Sequence, residues 1–326
     1  MQDQHDHRHS RDDHSAHQPS HAGHSHGHSH GHAHGPADFG QAFAIGVSAN
    51  LAYVGVQVVY GLWANSVALL ADGAHNLSDV LGLVLAWGAS LLVKRLPTQR
   101  FTYGLRKSSV LAALVNAAFL LLVTGGIAWE AVQRLMLPAP VEGLTVVWVA
   151  ALGIVINGGT AVLFMSGREH DLNIRGAFLH MAADAVVSLG VVLAGLGIIY
   201  TGWPWLDPVV SLVISGVIVA GTWGLLRDSV RMSLDAVPEE IDMEKVRAYL
   251  AGLAGVTEVH DLHVWAMSTT ETALTTHLVM PEGHPGDPFI AQVCTDLRER
   301  FRIDHVTAQV EIDPDHPCVL ASANVV

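Results

Sequence analysis

Two apolar stretches of this chain each carry a histidine followed four residues later by an aspartate. The first pair is His75 and Asp79 in LLADGAHNLSDVLGLVLAWGASLL; the second is His180 and Asp184 in AFLHMAADAVVSLGVVLAGLGIIY. Positions i and i+4 of a helix lie one above the other, so each pair points in one direction. Ionisable side chains at membrane depth cost kilocalories and mark ion or proton paths. If the two pairs meet, they supply two imidazole nitrogens and two carboxylate oxygens, a donor set suited to tetrahedral Zn2+. A lone His or Asp in a span can instead serve as a helix–helix hydrogen bond. The same pair twice, at the same spacing, favours the metal site. Asp72 shares the face of His75 one turn earlier. It either supports the ligands or lies on the ion's way in, with a structural role at the helix start as the stronger expectation. Asn50, Gln57, Asn116 and Asn157 are expected to pack helices, and Glu130 and Asp207 to sit at the membrane interface.

A second group of donors lies near the C-terminus: His260, His263, His277, His305 and Glu311, with Asp313, His316 and Cys318 just after. Strand alternation puts His260 and His263 on opposite faces. The expected shell is therefore His260, His277, His305 and Glu311, with Cys318 as a further donor from the tail. Mixed nitrogen, oxygen and sulfur ligands suit Zn2+. His284 follows a turn and is expected to be ordinary.

The elements that must position these groups follow from composition. Of 326 residues, 50% are hydrophobic and only 14% charged, against about 25% charged in soluble domains. Six apolar stretches, near 39–62, 67–94, 108–135, 143–166, 173–201 and 207–227, each approach the ~20 residues of a spanning helix. Lys94, Arg95, Arg100, Arg106 and Lys107 follow the second stretch, Arg168 and Arg175 the fourth, and Arg227 and Arg231 close the sixth. The opposite loops lack basic residues, with Arg134 the exception, so both termini are expected in the cytoplasm. Trp63, Trp203 and Trp205 would form an aromatic belt on the far face. Asn50 precedes His75 by 25 residues and Asn157 precedes His180 by 23, a faint echo between the two halves.

Residues 1–38 hold twelve of the 21 histidines. Such a segment cannot bury a core, so a disordered, metal-binding tail is expected. Residues 39–236 form the expected six-helix transport domain. From Val237 to the end the composition is that of a soluble domain. Its order α-β-β-α-β, read on an antiparallel sheet, points to a small ferredoxin-like α+β layer. The only cysteines, Cys294 and Cys318, exclude a disulfide framework. The formal net charge is −13, and no nucleic-acid partner is expected.

LLADGAHNLSD, RFTYG, LNIRGAFLHMAAD and HDLHVW, in that order, resemble the cation diffusion facilitator family of divalent-metal transporters across about residues 39–320. The resemblance implies six spans followed by a cytoplasmic ferredoxin-like domain, a homodimer in a multi-pass membrane location (the bacterial inner membrane), and metal leaving the cytosol in exchange for protons. It implies a transport site of His75, Asp79, His180 and Asp184 between the second and fifth spans. The His–Asp pattern is similar to that of zinc-transporting members, and the loop after the second span lacks the histidines of members with an additional site there. The cytoplasmic site falls on His260, His277, His305 and Glu311, with Cys318 added.

The residues themselves carry part of the mechanism. No GxxxxGK[ST] loop is present, so no nucleotide is expected. Moving a divalent ion against 100 mV costs about 4.6 kcal/mol. His and Asp must shed protons to bind metal, which couples the two ions. Co2+ or Ni2+ export is the alternative cargo, with Cd2+ also able to enter such a site. An intramembrane metalloprotease would need the glutamate base of HExxH, which HNLSD and HMAAD lack, so an enzyme is not expected.

Overall fold

A segment lying in hydrocarbon must satisfy every backbone group within itself, and a helix does so. The computed structural model describes residues 41–165, 172–283, 285–313 and 318–321. The expectations for the His-rich tail, Arg168, His284 and His316 fall outside these. Six long helices come first: α1 (Gln41–Trp63), α2 (Val67–Val93), α3 (Ser108–Met136), α4 (Gly143–Met165), α5 (Leu172–Thr201) and α6 (Leu206–Ser233). Five of them, α2 to α6, are long and apolar enough to cross a membrane. The six-helix expectation holds. α6 runs past its expected end to Ser233, and Arg227 and Arg231 in its last turns both pair with Glu239 beyond the helix.

α2 is the central element, packing on α1, α3, α5 and α6, while α4 packs on α5 and α3 on α6. Its N-terminus is fixed with unusual thoroughness. Ser66 caps it by accepting from Leu69 N at 3.1 Å. Asp207, in the first turn of α6 and expected at the membrane interface, is buried against this helix start. Its carboxylate accepts from Val67 N at 2.8 Å, from Ala68 N at 3.4 Å and from the Ser66 hydroxyl. A carboxylate at a helix N-terminus satisfies donors that have no partner inside the helix and complements the helix dipole. Arg134, the exception to the charge rule, donates to the carbonyl of Asn65, in the left-handed turn between α1 and α2, and to Glu130 at 2.9 Å.

The C-terminal domain contains α7 (Met243–Ala251), β1 (Glu258–Ala266), β2 (Thr272–Val279), α8 (Asp287–Phe301) and β3 (His305–Glu311), in the expected order. The sheet order is β1-β2-β3. Val246 and Leu250 of α7 and Val293 and Leu297 of α8 cover one sheet face through Leu262, Val264, Leu274 and Leu278. Among the described residues the other face carries no helix. Two expectations need correction. The sheet is mixed: β1 and β2 are antiparallel, but β3 runs parallel to β2. The cause is α8, since a helical crossover returns the chain to the same end of the sheet. Second, the register shifts by a residue between His260 and His263, at Asp261, whose φ is +48°. That bulge resets the alternation, so His260, paired with His277, and His263, paired with Thr275, share the helix-free face.

The basic loop after α2 holds this domain against the bundle. Arg106 pairs with Glu271 and Lys107 with Asp235, Thr269 N donates to Ser109 Oγ at 3.1 Å, and the Tyr103 ring meets His305 edge-on.

Candidate metal centres

α2 and α5 bring their two pairs together. His75 Nε2 lies 3.1 Å from Asp184 Oδ1 and 3.8 Å from Asp79 Oδ2; His180 Nε2 lies 3.3 Å from Asp79 Oδ2 and 3.7 Å from Asp184 Oδ2. Four donors around a tetrahedral Zn2+ with bonds near 2.05 Å sit about 3.3 Å apart. The four imidazole–carboxylate separations bracket that value; His75, Asp79 and Asp184 each offer a ligand atom within 4.8 Å of the others, and His180 joins this trio through Asp79. Asp79 Oδ2 and Asp184 Oδ2 are buried atoms with no hydrogen-bond partner. Carboxylate lone pairs buried without donors fit a cation.

Exposure grades along the site. The side chains of His180 and Asp79 are 42% and 26% exposed, His75 is 22% and Asp184 only 2%. The more open end lies toward the α2 C-terminus and the α5 N-terminus, where the basic loop begins. At the closed end sit Asp72 and Ser188, both fully buried. Asp72 lies within α2, past its start, and bonds across to α1 and α5. The stronger expectation, a role at the helix start, is replaced by one inside the bundle. Gln57, expected only to pack helices, is its main donor, with Nε2 2.6 Å from Asp72 Oδ2. Asn50 does pack helices, its amide directed at Met181 Sδ across α5 at 3.7 Å.

The second cluster lies on the helix-free sheet face. His277 Nδ1 is 2.8 Å from Glu311 Oε1 and 3.4 Å from Cys318 Sγ, and His260 Nε2 is 3.4 Å from the same Glu311 oxygen. His260, His277, Glu311 and Cys318 can each offer a ligand atom within 4.8 Å of the others. Neither ring nitrogen of the buried His260 makes a hydrogen bond. Burial tends to raise the Glu311 carboxyl, but the Cys318 hydrogen bond and the two imidazoles outweigh it and hold the group below its ordinary range. A backbone hydrogen bond from Leu320 favours the Cys318 thiolate, yet burial and the Glu311 charge prevail and push the thiol up. These donors fit a metal ion.

His305 is not brought to this cluster. It pairs with Ala273 at the other end of β3, six residues from Glu311, which at about 3.3 Å per residue is ~20 Å along the strand. Asp261 was missed. Its carboxylate lies 3.4 Å from His277 Nε2 and 2.9 Å from His263 Nε2, behind the cluster. Its one sequence signal was an acid between two histidines in HDLH; the left-handed backbone that swings it there was not legible. Cys318, reached only after the strand ends, does join.

Comparison with known proteins agrees with this architecture. The family described as the cation efflux transmembrane domain matches residues 43–232, and the cytoplasmic domain of cation efflux proteins matches residues 238–313. The zinc transporter ZitB of Escherichia coli is 36% identical over 276 residues, covering 84% of this chain and 87% of that protein. The metal cation efflux system protein CzcD of Cupriavidus metallidurans is 33% identical over 294 residues, covering 90% and 91%. A cadmium, cobalt and zinc/H(+)-K(+) antiporter of Bacillus subtilis is 32% identical over 266 residues, covering 80% and 85%. With paired histidines and aspartates in a multi-pass helical bundle, a mixed-sheet domain at its C-terminal end, and both family domains matched in sequence, the chain belongs to the cation efflux family of metal transporters.

Proposed function

We propose that this protein exports Zn2+ from the cytoplasm in exchange for protons, using His75, Asp79, His180 and Asp184 as the transport site. The observation that carries the reading is that each imidazole of the two pairs lies 3.1–3.8 Å from both carboxylates across α2 and α5, near the donor spacing around a tetrahedral Zn2+. The relatives named for zinc support the cargo, and the Bacillus protein, named as an antiporter against H(+) and K(+), supports an exchange that includes protons. Its name also includes cobalt and cadmium, which makes Co2+ and Cd2+ the first competitors to test.

Both termini face the cytoplasm in a bacterial inner membrane, by the basic residues at Lys94 to Lys107. The open end of the site then faces the cytosol and the layer of Asp72 and Ser188 closes the far side. Zn2+ entering from the cytosol displaces protons from the histidines and aspartates, and protonation from the far side weakens the same bonds and expels it. Two charges moving against 100 mV cost about 4.6 kcal/mol, which inward proton flow offsets. The bundle alternates by rocking about the site.

The C-terminal cluster of His260, His277, Glu311 and Cys318 is a regulatory Zn2+ site in a homodimer, with Asp261 orienting His277 through its Nε2–H. Bound metal shifts the transporter only by the difference in its affinity for the two states. The His-rich tail of residues 1–38 buffers or delivers metal.

Proteoliposomes of purified protein test the reading. The expected result is Zn2+ uptake that accelerates with an opposing proton gradient and vanishes in Asp184→Ala. Flux that ignores an imposed gradient contradicts the coupling, and Zn2+ flux at the wild-type rate in Asp184→Ala contradicts the site.

A further inference from the structure

Asp72 is a carboxylate inside the bundle that belongs to neither cluster. It is fully buried. Its Oδ2 accepts from Gln57 Nε2 at 2.6 Å and from Ser188 Oγ at 3.3 Å, while its Oδ1 has no hydrogen-bond partner. The far atom of Gln57, Oε1, is taken by Asn76 Nδ2 at 3.0 Å, which fixes the amide's direction. Asp72 precedes His75 by three residues and Ser188 follows Asp184 by four. Since α2 and α5 run in opposite directions, both steps lead the same way along the seam between them. Asp72 and Ser188 therefore sit one turn, about 5 Å, beyond the quartet at its closed end.

Room for this layer is built into α4. A Cβ on Gly153 would overlap the Tyr53 hydroxyl and lie 2.9 Å from Ser188 Oγ. Tyr53 in turn donates to Val149 O at 3.2 Å, so the layer draws on α1, α2, α4 and α5.

A hydrogen-bond anchor between helices does not require a charge. Asparagine would accept from Gln57 and Ser188 equally well, without the kilocalories that a buried ionised group costs. What aspartate adds is negative charge and an oxygen with free lone pairs, placed where a cation leaving the quartet next arrives. We propose that Asp72 and Ser188 form a second divalent-cation station, which receives the ion from the quartet on its way to the far side. The inference rests on reading the quartet as the transport site. Oxygen donors alone hold Zn2+ less firmly than imidazole, so the station lets the ion go where the quartet would retain it. A path with a strong and then a weak site both captures and releases its ion.

The test uses the full chain with Asp72→Asn and Ser188→Ala, measuring Zn2+ affinity of the quartet in detergent and Zn2+ flux in proteoliposomes. Asp72→Asn is expected to keep quartet affinity and to slow flux by about ten- to hundredfold, the range a charged contact supplies. Ser188→Ala, which leaves both carboxylates in place, slows flux less and also keeps affinity. Wild-type flux in Asp72→Asn overturns the station. So does a loss of affinity in step with flux, which would make Asp72 a positioning residue. If Asp72→Asn fails to fold, Ser188→Ala decides: slowed flux at unchanged affinity supports the station, and wild-type flux refutes it. Should Asp184→Asn also transport normally, the quartet reading falls with it; indifference to Asp72→Asn alone removes only the second station.

Discussion

Replacing Asp207 with alanine tests how the site-bearing helix is held. The carboxylate is the acceptor for Val67 N at 2.8 Å, for Ala68 N at 3.4 Å and for the Ser66 hydroxyl. All three donors are buried, and an unsatisfied buried donor costs about 1–3 kcal/mol. The short Val67 bond carries most of that cost, and the long Ala68 bond little. Ser66 keeps its own cap on Leu69 N, so the helix start is weakened but not erased. The sum is about 2–4 kcal/mol for Asp207→Ala. Asp207→Asn retains one carbonyl acceptor and is expected to lose about 1 kcal/mol. Thermal unfolding of the purified chain in detergent reads the total, and hydrogen exchange across residues 66–75 localises it. A double-mutant cycle with Ser66→Ala should give a coupling of about 1 kcal/mol or more, because the two side chains share a bond. An Asp207→Ala protein that melts like wild type, with unchanged exchange at the start of α2, would refute the reasoning.

Four further outcomes can be checked. Asp261→Asn removes the carboxylate behind His277 Nε2 and is expected to weaken Zn2+ at the C-terminal cluster about 10- to 100-fold, leaving quartet affinity unchanged; titration calorimetry separates the two sites. The Cys318 thiol is raised, so it is protonated at neutral pH and Zn2+ must displace that proton. Affinity there therefore rises with pH, and Cys318→Ser should lower proton release per metal by about one, measured in buffers of different ionisation enthalpy. In the metal-free domain the sign is the opposite. A raised folded-state value stabilises the fold below the ordinary thiol range, and that contribution disappears as pH rises through the folded value. Gly153→Ala places a methyl against Tyr53 and Ser188 and is expected to cost about 1–3 kcal/mol in thermal stability.

The helices and the direction of each His–Asp pair were legible because each depends on local repetition. An uninterrupted apolar run fixes a spanning helix, and i, i+4 spacing fixes the direction of each pair whatever the surroundings. What failed depended on contacts between distant segments. The capping role of Asp207 was not legible because nothing near it in sequence reveals that it caps a helix 140 residues earlier. Asp72 looked like a helix-start residue until Gln57 and Ser188 were seen around it. In the C-terminal domain, counting alternation through HDLHVW assumed a regular strand, and one left-handed residue at Asp261 reverses the count. His305 shares a strand and a face with Glu311, but strand length, which parity ignores, keeps them apart. The antiparallel reading failed for a related reason: the helix between β2 and β3 determines strand direction, and residue types alone do not.

Zinc-edge anomalous scattering from Zn2+-loaded protein addresses the transport site most directly. The account predicts an ion between α2 and α5, about 2.0–2.2 Å from a nitrogen of His75 and of His180 and from an oxygen of Asp79 and of Asp184. An ion bound within the bundle but away from these four side chains would contradict it.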